Sequence, residues 1–235
     1  MRRLFRVGFN RHNLVGDIIS KDSGTRVLVL HGGGKSNRAA FRILRKEIFG
    51  EGISSCAFDF IGHGDTGGAL IGSSLGHRTQ QVCAIVASQR MPPPLSVIAA
   101  SMGAYTAVKL LEHYPIATLI LLVPAMYAAE AYHVPFGPQF SEIIRRPQSW
   151  QRSDAWDLLA TYTGRLLIVA AEKDKIIPTG VIQKIYASAS RAKERRLYVA
   201  PQATHFVFTD LRSNDPHEFE RLLALIVETL RADTI

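Results

Sequence analysis

Eight short apolar runs, separated by stretches with helical spacing, are the feature that most limits what this chain can fold into. The runs span residues 4–9, 14–20, 26–30, 54–60, 95–100, 117–123, 165–171 and 196–199. Val27-Leu28-Val29-Leu30 has no polar residue, which suits a strand covered on both faces. Between the runs, residues 39–49, 78–90, 102–113, 179–189 and 216–232 read as helices; in the first, Phe41, Leu44 and Ile48 share one face. This alternation predicts an α/β fold, a mostly parallel eight-stranded sheet with helices on both faces. Ligands of such sheets sit beyond the carboxyl ends of the strands, and the chemically suggestive motifs of this chain all fall there. The chain has 235 residues with neither an internal repeat nor a low-complexity linker, so a single domain, 1–235, is expected.

Charge and cysteine content narrow the function classes. The formal net charge is +8, but the basic residues are scattered, and the densest groups, Arg145-Arg146 and residues 191–196, lack interleaved stacking aromatics. An ordinary basic surface is expected, with no nucleic-acid partner. The two cysteines, Cys56 and Cys83, support neither a disulfide framework nor a zinc site, which points to a reduced, cytoplasmic setting. No secretory signal is visible at the N-terminus. The most apolar stretch, 116–131, is interrupted by Pro124 and is too short to cross a bilayer, so no membrane association is expected.

The strand 95–100 runs into Ser101-Met102-Gly103-Ala104, and a helix follows at once. A serine on so sharp a strand-to-helix turn has a strained backbone and a hydroxyl raised clear of the sheet. Its neighbours two residues away must be small, and here they are Ala99 and Gly103. The following helix directs amide donors and its positive end at the serine. This segment resembles the nucleophile elbow of the α/β-hydrolases, with alanine at Ala99 where that family usually has glycine. The glycine run His31-Gly32-Gly33-Gly34 at the end of the third run resembles the family's oxyanion loop. Mapped on this chain, the resemblance makes the backbone N–H groups of Gly33 and Met102 the oxyanion donors. The rival reading of Gly34-Lys35-Ser36 is the end of a phosphate-binding loop, but Val29 stands where that motif needs its first glycine.

The resemblance also implies a base and an orienting acid, in the chain order serine, acid, histidine. Asp174 follows the strand 165–171 and precedes Pro178 at a helix start, as the family's acid does; Glu172 and Glu130 are the weaker alternatives. His205 follows the final strand, where the family keeps its base. The implied catalytic set is Ser101, Asp174 and His205, a triad that needs no metal or other cofactor. Asp59, His63 and Asp65, in the glycine-rich segment after the fourth strand, read as loop-structuring residues; a metal reading of His31, His63 and Asp65 is weaker.

Residues 125–162 break the strand–helix rhythm where α/β-hydrolases insert a cap, so a small cap or lid is expected there. The large side chains Tyr127, Tyr132, Phe136, Trp150 and Trp156, with Gly34, are the candidate substrate pocket, though each of them could equally seal the core. The resulting expectation is a serine hydrolase of the carboxylesterase or thioesterase kind, acting on small or medium, largely apolar acyl substrates. An amide or carbon–carbon bond hydrolase with the same triad and a non-catalytic binding protein on the same fold remain open alternatives.

Overall fold

The computed structural model describes residues 1–21 and 24–231. Eight strands form one sheet: β1 (Arg2–Phe9), β2 (His12–Ile19), β3 (Val27–Leu30), β4 (Ser55–Phe58), β5 (Leu95–Ala100), β6 (Ile116–Leu122), β7 (Arg165–Ala171) and β8 (Glu194–Ala200). Their order is β1-β2-β4-β3-β5-β6-β7-β8. The β1–β2 hairpin is antiparallel, and β2 meets β4 antiparallel; every other pairing is parallel. The α/β sheet expected from the pattern of apolar runs is therefore present, and its parallel part begins at β4.

Eight α-helices complete the described fold: α1 (Arg42–Gly50), α2 (Leu75–Ser88), α3 (Met102–Lys109), α4 (Pro138–Arg145), α5 (Ala155–Thr161), α6 (Thr179–Ser188), α7 (Val207–Asn214) and α8 (Pro216–Arg231). Alternate residues of each central strand go to opposite layers, which is why the runs are apolar throughout. Leu28, Val97, Leu119 and Ile168 pack under α2, α3, α5 and α6. Val29, Ile98, Ile120 and Val169 pack under α1, α7 and α8. Among the described residues, no helix is long and apolar enough to cross a membrane.

Several boundaries differ from the sequence expectation, each for a local reason. Helix α2 begins at Leu75 rather than at residue 78, because the Ser74 hydroxyl accepts a hydrogen bond from the His77 N–H at 3.1 Å and caps it. Strand β4 ends at Phe58, not 60, since the next two N–H groups turn to the Val15 carbonyl and the His31 ring. Helices α4 and α5 lie in the segment read as irregular, and α7 was not anticipated. The expected end of the last helix, Ala232, lies outside the described residues.

A buried ionic cluster fastens the antiparallel edge to the parallel sheet. The Asp17 carboxylate, on β2, takes Arg38 Nε at 3.1 Å and Arg45 Nη1 at 2.9 Å, and all three side chains are nearly inaccessible to water. Arg45 also donates to the Asp17 and Ser55 carbonyls, while Arg38 reaches Asp59 and Asp65. The loop-structuring role expected of Asp59 holds, since it accepts the Asp65 N–H at 2.9 Å; its ion pair with Arg38 was not foreseen. Removing one partner of such a cluster leaves buried charge behind. Asp17→Ala should therefore lower unfolding free energy by about 3–5 kcal/mol in urea titrations; a loss under about 1 kcal/mol would mean the two arginines find other partners.

Candidate active site

Ser101 caps α3 with φ 50° and ψ −121°, a left-handed conformation that costs a non-glycine residue about 1–3 kcal/mol. Its main chain is held from three sides. Its N–H donates to the Leu122 carbonyl, and its carbonyl accepts from the Ala104 and Ala125 N–H groups. The first turn of α3 lies directly on the end of β3: a Cβ at Gly103 would come within 2.7 Å of the His31 carbonyl oxygen and 2.9 Å of that of Leu30. Only glycine fits there.

The three side chains singled out by chain order meet. His205 Nδ1 lies 2.9 Å from Asp174 Oδ2, and Nε2 lies 3.0 Å from Ser101 Oγ. A carboxylate only accepts, so the ring proton sits on Nδ1 and the serine hydroxyl donates to Nε2. The other Asp174 oxygen accepts the N–H groups of Ile176 and Ile177, which fixes the carboxylate's rotation. Glu172 instead braces Gln202, accepting its N–H at 2.6 Å, and Glu130 pairs with Arg146 and Arg152 on the surface. The His205 loop is tied to α7, where Asp210 accepts both the N–H and the hydroxyl of Thr204. That clamp was not legible, because α7 itself was not.

Gly32 and Gly33 lie beside this chain. A Cβ at Gly32 would meet Ser101 Cβ at 3.1 Å, and one at Gly33 would touch the Met102 side chain at 3.2 Å. Gly33 is therefore adjacent to Met102, the pair expected to offer amide donors. No backbone carbonyl among the described residues takes the Gly33 N–H. Gly34 is exposed, with φ 62°. His31 stands behind the loop: its Nε2 accepts the Phe60 N–H, so its proton sits on Nδ1 and is donated to the Gly32 carbonyl at 2.8 Å. Burial, aided by Arg78 and His63, holds the His31 pKa well below the ordinary value, so the ring is neutral. Among the described residues there is no cluster suited to a metal, His31, His63 and Asp65 included.

A residue not singled out from sequence stands behind the same loop. Arg78, on α2, is fully buried; its Nη2 donates to the His31 carbonyl at 2.7 Å and to the Gly32 carbonyl at 3.1 Å. Its guanidinium lies 3.7 Å from the centre of the Phe60 ring. A signal for it was available. Once Ser74 is taken as the cap, Leu75, Arg78, Val82 and Ile85 share the buried face of α2, and a charge in that phase is out of place.

The aromatic residues expected to line a pocket divide between settings. Tyr127 meets Tyr105 edge-on and tilts against Phe140; burial pushes its phenol up to about 12, with Arg78 close enough to oppose that. Phe136 is buried against Phe140. Tyr132 packs on Tyr105 under the Lys109 ammonium, and Trp150 and Trp156 pack on each other and against Gly180 and Lys184 of α6. The Lys109 ammonium and the Tyr105 hydroxyl both reach Asp154, tying the segment between β6 and β7 to α3. Both cysteines are free thiols, and burial raises Cys56 to about 12, which leaves it inert at neutral pH.

The close approach at Gly103 makes a measurable demand. Gly103→Ala must push backbone carbonyls rather than a flexible side chain, so it should cost about 1–3 kcal/mol in urea unfolding. Wild-type stability in that variant would mean α3 can shift away from β3 freely.

A family model described as serine aminopeptidase, S33, matches residues 22–150. Among solved structures, an esterase from Pyrococcus furiosus superposes with a TM-score of 0.73 at 19% identity, covering 99% of this chain and 92% of that one. An esterase from Exiguobacterium antarcticum gives 0.72 at 19% identity over 97% and 100% of the two chains. A monoacylglycerol lipase from Paleococcus ferrophilus gives 0.71 at 17% identity over 93% and 98%. At these identities the likeness is one of fold. No match is found among curated proteins.

Proposed function

The chain belongs to the serine aminopeptidase S33 family of α/β-hydrolases, and on that footing we propose that it cleaves small or medium, largely apolar carboxylic esters or thioesters through an acyl-Ser101 intermediate. The observation that carries this reading is the continuous hydrogen-bonded path from Asp174 through His205 to Ser101, at 2.9 and 3.0 Å. His205 takes the serine proton as Oγ attacks the acyl carbon, and Asp174 holds the imidazole in the tautomer that can accept it. The oxyanion forms against the N–H groups of Gly33 and Met102. Collapse of that intermediate passes the proton from His205 to the leaving group. Water, activated by the same imidazole, then releases the acid.

Residues 125–162 are proposed as a small cap, with Tyr127, beside Arg78, one of its pocket residues. The neighbourhood also weighs on the bond type. An aminopeptidase must hold a substrate ammonium, whereas the charged side chain buried beside the oxyanion loop is the cation Arg78, and Lys173 and Lys175 flank Asp174. An uncharged acyl group suits that field better than a peptide N-terminus. Amide cleavage is the second reading, favoured only by the description of the family.

Covalent labelling by a fluorophosphonate tests the nucleophile. The native protein should be labelled and Ser101→Ala should not; equal labelling of the two would end the assignment. With p-nitrophenyl esters, Asp174→Asn should lower kcat by about 10³–10⁴-fold, because the amide stabilises the wrong imidazole tautomer. A panel of p-nitrophenyl esters, thioesters and aminoacyl anilides then separates bond types, with turnover of the anilides alone pointing to an amidase.

A further inference from the structure

Among the described residues three arginines are buried, and they are not alike. Arg38 and Arg45 are compensated by the carboxylates of Asp17, Asp59 and Asp65. Arg78 is the most enclosed, yet among the described residues it has no carboxylate partner, and its Nε and Nη1 make no hydrogen bond. Burial lowers its pKa to about 9, so it is a cation at neutral pH. A cation in that state weakens a fold, and an apolar residue in its place would normally serve the core better. What Arg78 does contact is specific: the carbonyls of His31 and Gly32 and the face of Phe60.

The Gly32 carbonyl belongs to the same peptide unit as the Gly33 N–H. In a trans peptide these two bonds point in opposite directions. A donor fixed on the carbonyl therefore sets the plane of the unit and the aim of its N–H. Here two donors converge on that oxygen, Arg78 Nη2 at 3.1 Å and His31 Nδ1 at 2.8 Å. The Gly33 side of the unit meets Met102, and Gly32 meets Ser101. A positive charge on the carbonyl side also draws electron density away from the nitrogen, making its N–H a stronger donor, since hydrogen bonds along a chain polarise one another.

Resting on the hydrolase reading above, we propose that Arg78 is a positioning residue for the oxyanion site: from behind the Gly32–Gly33 peptide, it orients and strengthens the Gly33 N–H that meets the developing oxyanion. Phe60 and His31 support it. The aromatic face shields the guanidinium, and the neutral His31 ring adds a second donor without a second charge. The effect is specific to the transition state, because a neutral substrate carbonyl gains far less than an oxyanion from a strengthened donor.

The test uses the full-length protein and a p-nitrophenyl ester of an apolar acid. Arg78→Met should lower kcat by about 10–100-fold, part of what losing a whole oxyanion donor costs, with KM changed less than about threefold. Its thermal midpoint should equal or exceed that of the wild type, since the uncompensated cation is gone. Arg78→Lys, which keeps the charge, should recover part of kcat. In an NMR spectrum the Gly33 amide proton of Arg78→Met should move upfield, the sign of a weaker donor. A folded Arg78→Met with wild-type kcat overturns the proposal, as does a loss of kcat that merely follows a fall in thermal midpoint. Should Arg78→Met not fold, Arg78→Gln decides: it keeps an N–H donor but no charge, and wild-type kcat there overturns the proposal too. Failure of the hydrolase reading would look different, with native protein inert to fluorophosphonate and to every ester.

Discussion

The contact between the first turn of α3 and the end of β3, closed to the point that only glycine fits at Gly103, is what the rest of the site depends on. It forces Ser101 into a left-handed conformation and places the helix N-terminus against the loop of His31, Gly32 and Gly33. Strain of this kind persists only when neighbours over-determine it. Here they do, through the bonds of the Ser101 main chain to Leu122, Ala104 and Ala125. The same stretch carries a second left-handed residue, Val123, at φ 41°, where the chain leaves β6. A β-branched residue tolerates that poorly. Its N–H nonetheless makes a 2.7 Å bond to the Val169 carbonyl, which fixes the turn and aims Ala125 back at the serine.

How much of this was legible follows from which interactions are local in sequence. The strands were readable because burial on both faces leaves uninterrupted apolar runs, as in Val27–Leu30. The elbow and the loops bearing Asp174 and His205 were readable because each is a short motif at a strand end. What brings them together is not local: His205 and Ser101 are 104 residues apart, and only the family's order of serine, acid and histidine linked the separate motifs. The unread parts have physical reasons. Helices α4 and α5 are only eight and seven residues long, too short for periodicity to rise above noise. Helix α7 begins at Val207, with no side-chain cap, two residues after His205, so its start carries no signal. Helix α2 starts three residues before the periodic stretch that predicts it, because the Ser74 cap sets its first turn, and Arg78 falls on the buried face only when the helix is phased from that start.

The ionic residues divide by what they hold. Around Asp17 charge is balanced and the contacts tie main chain together: Arg45 joins β2 to β4 through the Asp17 and Ser55 carbonyls, and Asp59 joins the loop after β4 to the segment before α1 by accepting the Arg38 N–H. Such a cluster specifies how the antiparallel edge joins the parallel sheet, something hydrophobic contacts alone leave loosely defined. Around the loop of Gly32 and Gly33 the balance is absent. Arg78 is unpaired, and the His63 ring, 4.8 Å from that of His31, has a buried Nε2 with no partner among the described residues.

Unsatisfied polar groups and strained backbone both weaken a fold. Asn10, Arg90, Gln148 and Gln202 carry positive φ in turns elsewhere, and Ser73 and Thr106 also have buried hydroxyls without a partner among the described residues. Two strained residues and two buried unsatisfied polar groups nonetheless stand together near Ser101. Ser101 and Val123 supply the strain, and Arg78 and His63 the uncompensated polarity; all four stand at or behind the carboxyl ends of the central strands. Elsewhere, equally buried charges are paired. That distribution is hard to account for by packing, because the apolar residues that fill the rest of both core layers would cost less at position 78. It fits the proposed active site, in which groups held in place before substrate arrives, at the expense of stability, would leave little reorganisation for the moment when charge develops. The loops bearing Asp174 and His205 are fixed on the same principle, one by the Ile176 and Ile177 amides and the other by Asp210 and Glu172. Rigidity at the proposed triad and uncompensated charge behind the loop of Gly32 and Gly33 are then two parts of one proposed arrangement.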